Sequence, residues 1–402
     1  DRPGMDSQKT NSYGMKVFHS FDGFELQSYT SSTDTNVIFS YDADWGNADS
    51  HFPYVYDYFS ETLRDRKSFN QEFRIVSDSA DFQENSFFEW VIGANYLELK
   101  ESNLKKDDGL YGDPSDPYGP YASASASSSK YKSSNFSVFG NLDYLLSASL
   151  KFSIGLRWED WEADYSDSLQ ESFNPTDKMS GGKISLIKNM INDTNIYASL
   201  AKGYKQGGFN LGLGLDANAT NKNLAYDPEF LTNYELGINT KLLDSKITFN
   251  GVLFYSDRED QQVLISTQTD PSDPNTFSFL TQNAAEGVNH GLEINLDMGI
   301  NQFLSAFVNL GILKTEIKNW QSRQDLDGRA QAHAPERSYA LGLNWAPTSH
   351  TYLAIDFTGK SSFYYSDSHN NKSKSYVLTN LNLGYVKNNW NYELWARNIF
   401  DE

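Results

Sequence analysis

Leu150-Lys151-Phe152-Ser153-Ile154-Gly155-Leu156-Arg157-Trp158 reads as one strand with two incompatible faces. Successive side chains in a strand point to opposite sides. Leu150, Phe152, Ile154, Leu156 and Trp158 therefore share one face, and Lys151, Ser153, Gly155 and Arg157 share the other. The same division recurs further on. Leu304, Ala306, Val308, Leu310 and Ile312 oppose Ser305, Asn309 and Gly311, and Tyr339, Leu341, Leu343 and Trp345 oppose Ser338, Ala340, Gly342 and Asn344. His290, Leu292, Ile294, Leu296 and Met298 oppose Gly291, Glu293, Asn295 and Asp297. Charges repeated along one strand face are costly in a dry core. Around a hydrated interior they are not, so the pattern predicts strands that enclose water and turn their apolar side to lipid.

The gaps between such runs alternate in length. Short ones are Phe21-Asp22-Gly23, Ile191-Asn192-Asp193-Thr194, Leu243-Asp244-Ser245, Ala346-Pro347-Thr348-Ser349 and Lys387-Asn388-Asn389. Long ones run from Gly46 to Asp65, Glu101 to Lys130 and Gln206 to Asp227. An antiparallel barrel in an outer membrane has this asymmetry, with tight periplasmic turns and large external loops. A soluble β-sandwich has no reason to place its long loops at one end.

Composition agrees. The 402 residues include 25 Tyr, 26 Phe and 8 Trp, yet the mean hydropathy is −0.59. Two or three soluble domains would fit the length but not this mix of aromatics and polarity. No run of eighteen apolar residues exists, so strands are the remaining way to span a bilayer. There is no cysteine, which leaves the strand ladder rather than a disulfide framework to hold an exported protein together. A net charge of −20 disfavours nucleic acid as a partner. Acidic outer loops could meet divalent cations bridging lipopolysaccharide, or be plain solvated surface. Asp1-Arg2-Pro3-Gly4 is no signal peptide.

Sixteen strands are expected near residues 12–20, 23–44, 67–79, 85–100, 132–146, 148–164, 179–190, 194–205, 230–242, 245–262, 282–299, 302–319, 335–346, 350–366, 374–386 and 389–398. With the short turns at the periplasmic end, the first runs down and the last runs up. A closed barrel with both termini in the periplasm then needs further strands at each end. Asp107 to Lys130, with its Ser/Ala tract from Ala122 to Ser129, reads as a mobile external loop.

Several segments resemble TonB-dependent outer-membrane receptors. They are Ser68 to Ser77, Asn195-Ile-Tyr-Ala-Ser-Leu-Ala-Lys-Gly-Tyr-Lys-Gln-Gly-Gly-Phe-Asn210, Tyr226 to Leu242, Phe249 to Gln262, Asn283 to Glu293, Ala334 to Ser338, Leu378 to Tyr385 and Ala396-Arg-Asn-Ile-Phe-Asp401. They keep family order over roughly residues 65 to 402. The resemblance implies an all-β, transmembrane, antiparallel up-and-down barrel with about 16 of an expected 22 strands present. Residues 1–402 are then a partial barrel, expected to lack the N-terminal plug, the first strands and the last strand. It also implies a TonB partner contacted through an N-terminal segment outside this chain, and a Gram-negative outer-membrane location.

Chemistry-bearing motifs are few. His19, His51, His290, His333, His350 and His369 are scattered, and neither a zinc motif nor a nucleophile elbow is present. No enzyme activity, cofactor or metal is expected. Gly203-Tyr-Lys-Gln-Gly-Gly reads as a strand exit where glycine supplies unusual dihedrals. Glu159, Asp160 and Glu162 read as a solvated rim. Asp270-Pro-Ser-Asp-Pro and Asp107-Asp108 read as turn residues rather than Ca²⁺ ligands. Inward Lys151, Arg157, Glu293, Asp297, Glu393 and Arg397 are expected to meet lumen water or a plug. The substrate candidates are aromatics of the outer loops: Trp45, Tyr54, Tyr56, Tyr58, Tyr118, Tyr121, Tyr364 and Tyr365. Phe52 is a further aromatic in the first of these loops. Trp345, Tyr385, Trp390 and Tyr392, beside short turns, are expected to form the periplasmic interface girdle. The resemblance makes the chain an active importer of a scarce nutrient, a ferric siderophore or another iron complex. The alternative is a passive porin. A barrel enzyme would need a nucleophile–base set on the rim, and none is found.

Overall fold

The computed structural model describes residues 2–401 except 45, 47–49, 79–86, 169–171, 192, 211–224, 269–276, 321–322 and 368. Among the described residues sixteen long antiparallel strands follow one another as neighbours, apart from two-residue pieces at Ser172–Phe173, Gly208–Phe209 and Ala225–Tyr226. They are β1 (Met5–Phe21), β2 (Phe24–Asp42), β3 (Val55–Ser77), β4 (Phe88–Gly112), β5 (Tyr121–Ser147), β6 (Leu150–Asp167), β7 (Thr176–Met190) and β8 (Thr194–Lys205). Next come β9 (Glu229–Leu242), β10 (Ile247–Gln268), β11 (Phe277–Asn301), β12 (Leu304–Lys318), β13 (Arg337–Thr348), β14 (Thr351–Lys360), β15 (Tyr376–Lys387) and β16 (Trp390–Ala396). Ladders join each strand to the next, including β8 to β9. Among the described residues none joins β1 to β16. There is no α-helix among them either, only a 3₁₀ turn at Gln324–Leu326.

Register confirms the two faces. Across β5 and β6, Val138 pairs with Trp158, Gly140 with Leu156, Leu142 with Ile154 and Tyr144 with Phe152 on the apolar side. Phe139 pairs with Arg157 and Asp143 with Ser153 on the polar side. The polar side satisfies itself: Asp143 accepts from Ser153 Oγ at 2.5 Å and from Lys151 Nζ at 2.9 Å. Leu156 on the other side is 63% exposed. That is untenable in water for a row of such residues and natural in lipid. Among the described residues, the buried apolar clusters lie where residues beyond the strand ends fold back onto the polar face.

Tight turns gather at one end. Gly23 turns the first hairpin with φ +84°, and Leu243, Asp244 and Ser245 all take positive φ in another. The connection 78–87 is the longer exception at this end. At the other end, the long gaps are shorter than the sequence suggests. The segment from Glu101 to Lys130 is mostly strand, because β4 and β5 run for 25 and 27 residues. About 10 residues suffice to cross a bilayer, so these strands continue well into solvent. The Ser/Ala tract Ala122–Ser129 is thus not a mobile loop but the edge of a ladder, with Ser127 opposite Lys105 and Ser125 opposite Asp107. Polar cross-strand contacts hold this extension: Ser60 Oγ to Asp107 at 2.6 Å, Arg66 to Glu101 at 2.5 Å, Lys106 to Glu61 at 3.2 Å. Asp107 and Asp108 therefore lie in a strand and not in a turn. Likewise β3 begins at Val55, inside the expected Gly46–Asp65 loop, while the strand expected at 350–366 stops at Lys360.

A Leu156→Lys change puts a charge on the lipid face and should lower stability by about 2–4 kcal/mol near the midplane. Ser153→Lys on the polar face should cost much less. Urea unfolding from vesicles measures both, and equal losses would contradict the assignment of faces.

Candidate functional site at the loop end

The polar face of β5–β8 carries a charge cluster close to the loop end. Glu159 is 6% exposed. It accepts from Asn135 Nδ2 at 2.7 Å, from Arg157 at 2.8 Å and from Tyr204 Oη at 3.2 Å. It is not a solvated rim residue, because side-chain partners enclose its carboxylate, and the residue just past β8 joins them: Asn135 also donates to Gln206 Oε1 at 2.8 Å. Higher on the same strand face stand Trp161, Ala163 and Tyr165, buried with Met179 and Phe209.

Phe209 reaches them because the loop turns inward as soon as β8 ends. Gly208-Phe209 pairs with Ala225-Tyr226 as a short ladder. A Cβ on Gly207 would lie 2.5 Å from Tyr226 O, and one on Gly208 2.5 Å from Tyr226 Oη. Close approach, not an unusual dihedral, is thus what these glycines provide; among described residues only Gly23 and Gly328 have positive φ among glycines. Phe209 stacks on Tyr165 at 5.4 Å and sits 5.7 Å from Tyr131. Burial pushes the Tyr226 phenol above its ordinary range. The opposite side of the stem is fixed to β10 and β11. Gln262 Nε2 donates to Gln206 O at 2.9 Å, Thr281 N to Asn210 Oδ1 at 2.6 Å, and Asn283 Nδ2 to Asp227 O at 2.8 Å. The loop stem therefore spans the mouth from β5–β7 to β10–β11.

A second loop, 319–336, folds in the same direction. A bulge at Asp260, φ 53°, shifts the β10–β11 register. It leaves Val263 on the inner face beside Ala285, Ile317, Trp320 and Leu326. Hydrogen bonds from Arg323 hold the Asp325 carboxyl below its ordinary range. A third anchor clamps loop 361–375. Arg329 donates to Asp367 Oδ1 at 3.0 Å and to Ser366 O at 3.1 Å, and lies 4.3 Å over the Tyr364 ring.

The sequence-derived candidates fall in separate places. Trp45 lies outside the described residues. Tyr54 is exposed at the foot of the 43–54 loop. Tyr56 and Tyr58 are strand residues of β3, 4.8 Å apart, with His51 4.7 Å from Tyr56 and Tyr111 6.5 Å from it. Tyr118 is 85% exposed at a turn tip, and Tyr121 opens β5 with its hydroxyl on Asp116 at 2.9 Å. Tyr364 is held between Arg329 and Lys372, 4.2 Å from the latter, and Tyr365 lies edge-on to Phe363 at 5.9 Å. Trp345, Tyr385, Trp390 and Tyr392 are all exposed near short turns, and Trp390 stacks on Tyr392 at 6.2 Å. Phe209, Trp161, Tyr165 and Trp320 are functional-site residues outside the sequence-derived candidates. The available signal was the aromatic run Trp161, Tyr165 on the same parity as Arg157, where water-facing residues were expected. No group of three acidic or histidine side chains that could hold a metal occurs among the described residues.

A strand-only wall with polar inside, apolar outside and loops folded into one mouth is that of an outer-membrane barrel. Residues 2–399 match the family model described as TonB dependent receptor-like, beta-barrel, and the chain belongs to that family. Such barrels are non-enzymatic proteins of the Gram-negative outer membrane, and this chain is one of them. Among solved structures it is similar to the ferric yersiniabactin uptake receptor FyuA of Yersinia pestis, with 15% identity and a TM-score of 0.71 over 98% of this chain and 56% of that one. The siderophore receptor PiuA of Acinetobacter baumannii shares 15% identity and a TM-score of 0.71, over 99% and 61%. The copper transporter OprC shares 14% identity and a TM-score of 0.72, over 99% and 60%. The chain spans about three-fifths of the length of these structures.

Replacing Phe209 with Ala removes a buried ring from the loop stem, worth about 3 kcal/mol locally. Limited proteolysis should then cut within 206–228 at least several-fold faster while the barrel stays folded. An unchanged cutting rate would show that the stem is not held by this packing.

Proposed function

We propose that the protein imports a scarce nutrient, a ferric siderophore or another iron complex, across the outer membrane with energy delivered through TonB. The observation that carries this reading is the mouth. The stem of one loop and the described part of a second pack onto the wall, and a third is clamped beside them, so that aromatic and cationic groups concentrate where a chelate would enter. Recognition there needs shape, stacking and charge, and no covalent step. The similarity to FyuA and PiuA supports iron chelates, and that to OprC keeps other metal cargo within the class.

In this reading the outer aromatics Trp45, Tyr54, Tyr56, Tyr58, Tyr118, Tyr121, Tyr364 and Tyr365 contact cargo as it arrives. Of these, Tyr56 and Tyr58 carry the most weight, because they form a cluster with His51 and Tyr111 rather than standing alone. Trp345, Tyr385, Trp390 and Tyr392 anchor the barrel at the periplasmic interface. TonB couples through a plug-side segment outside residues 1–402, and outer-membrane lipid and lipopolysaccharide surround the wall.

Cells of the source bacterium lacking the gene should lose uptake of one radiolabelled ferric chelate. A protonophore that collapses the inner-membrane gradient should abolish that uptake in the parent strain. Flux that survives the protonophore would instead support a passive porin. A double Tyr56→Ala, Tyr58→Ala change should weaken binding of that chelate roughly tenfold, and an unchanged affinity would remove this cluster from the entry site.

A further inference from the structure

β4 and β5 continue as a paired slab beyond their neighbours, and one edge of that slab is bare. Their register runs without a break from Phe88 opposite Tyr144 to Tyr111 opposite Tyr121. β6 stops at Asp167, opposite Ser129. Ser128 turns both its backbone groups toward that side: its N–H donates to Ser168 Oγ at 3.1 Å, and its C=O accepts from Ser168 N at 2.9 Å. Backbone direction alternates along a strand, so Ala126, Ala124 and Ala122 turn their groups the same way. Among the described residues none pairs with them there. The strand is exposed from Tyr121 to Ala126, and the bare edge is about 20 Å long.

Exposed edges of this kind template further pairing, and proteins blunt them with charge, proline, a bulge or a cover. The outward ends of β3 and β11 are covered. On β3, Ala43 N donates to Tyr58 O at 2.7 Å, and Arg2 reaches across to Asp57 at 2.9 Å. On β11, beyond the end of β12, the Asn210 amide stands in for a strand. It accepts from Thr281 N at 2.6 Å and donates to Thr281 O at 2.8 Å. The run Tyr121-Ala-Ser-Ala-Ser-Ala-Ser127 has no charge, proline or bulge. It is also held in shape: at its head the Tyr121 hydroxyl donates to Asp116 at 2.9 Å, and β4 pairs its other side throughout.

We infer that this edge takes up an extended, cationic segment of a partner polypeptide as an added β-strand, an interaction separate from import. The chemistry of the edge selects the occupant. A row of N–H and C=O groups at every second residue matches an extended backbone, and a chelate or a lipid headgroup offers no such repeat. A second copy in the same membrane stands the same way up. About a two-fold axis along the membrane normal it would set this edge beside itself in parallel, with identical groups level, which no parallel ladder allows. The bordering side chains are small and leave room for larger ones. Ala122, Ala124 and Ala126 lie on the face of Val138, and Ser123, Ser125 and Ser127 on the face of Asp143. The nearest charges on β4 are already paired, Lys105 with Asp107 at 3.1 Å and Lys106 with Glu61 at 3.2 Å. At longer range the net charge of −20 draws in a cationic segment rather than an acidic one.

The test uses the full chain in detergent, a synthetic peptide of alternating lysine and valine, and that peptide with every backbone nitrogen methylated. Amide hydrogen exchange is followed residue by residue by NMR. Without peptide, Ser123 and Ser125, whose amides face β4, should exchange slowly, and Ala122, Ala124 and Ala126 fast. The unmodified peptide should slow the alanine amides roughly tenfold or more. The methylated peptide keeps the charge but lacks the donors, and should leave them unchanged. Ala124→Pro removes an N–H that β4 does not use, so the ladder tolerates it. It should weaken peptide binding roughly tenfold with the unfolding temperature unchanged. Equal binding of the two peptides would overturn the proposal, and that comparison needs no variant to fold. Slow alanine exchange before any peptide is added would overturn it too, because another stretch of the chain would then occupy the edge. So would unchanged binding to the proline variant.

Discussion

Inside a bilayer no water is available to a peptide N–H or C=O, so each must find a partner in the protein. In this molecule the antiparallel ladder supplies those partners strand by strand, with hairpin following hairpin from β1 to β16. Everything else is arranged around that requirement. Because the ladder fixes alternation, each strand must offer lipid one face and water the other. The charges of the wet face then pair locally, as Lys151 does with Asp143 and Arg157 with Glu159.

The same ladder explains why strands outrun the membrane. Once β4 and β5 are paired, continuing the pairing costs little, even for a run of serines and alanines with no apolar face. In solvent the side chains need only be compatible, and cross-strand pairs such as Lys106 with Glu61 suffice. The mouth is built differently. There, loops must bury apolar residues against the wet face, and Phe209 and Trp320 do so against Tyr165 and Ile317. Among the described residues, the buried apolar clusters therefore lie at the loop end rather than at the centre.

Membrane-spanning strands were readable from residues alone wherever one face was apolar, as at 150–158 and 304–312. The extensions were not, because Tyr121–Ser129 alternates small and polar residues that carry no hydrophobic signal. The burial of Glu159 is illegible in the sequence for a related reason. Gln206, far away in sequence, closes the cluster around it through Asn135, and local pattern cannot report a chain folding back. The aromatic candidates illustrate the same limit: Tyr56 and Tyr58 stand out by residue type, but their grouping with Tyr111 follows from the β3–β4 register.

Because the chain has no native cysteine, single cysteines at Ser153, Ile154, Gly155 and Leu156 can carry spin labels without background. Their accessibility to dissolved oxygen and to a water-soluble nickel chelate, measured on the protein in bilayers, tests the central claim most directly. The two-faced wall predicts alternation with a period of two, with labels at 154 and 156 exposed to oxygen and those at 153 and 155 exposed to the chelate. Labels shielded from both reagents at all four positions, or lacking that alternation, would contradict it.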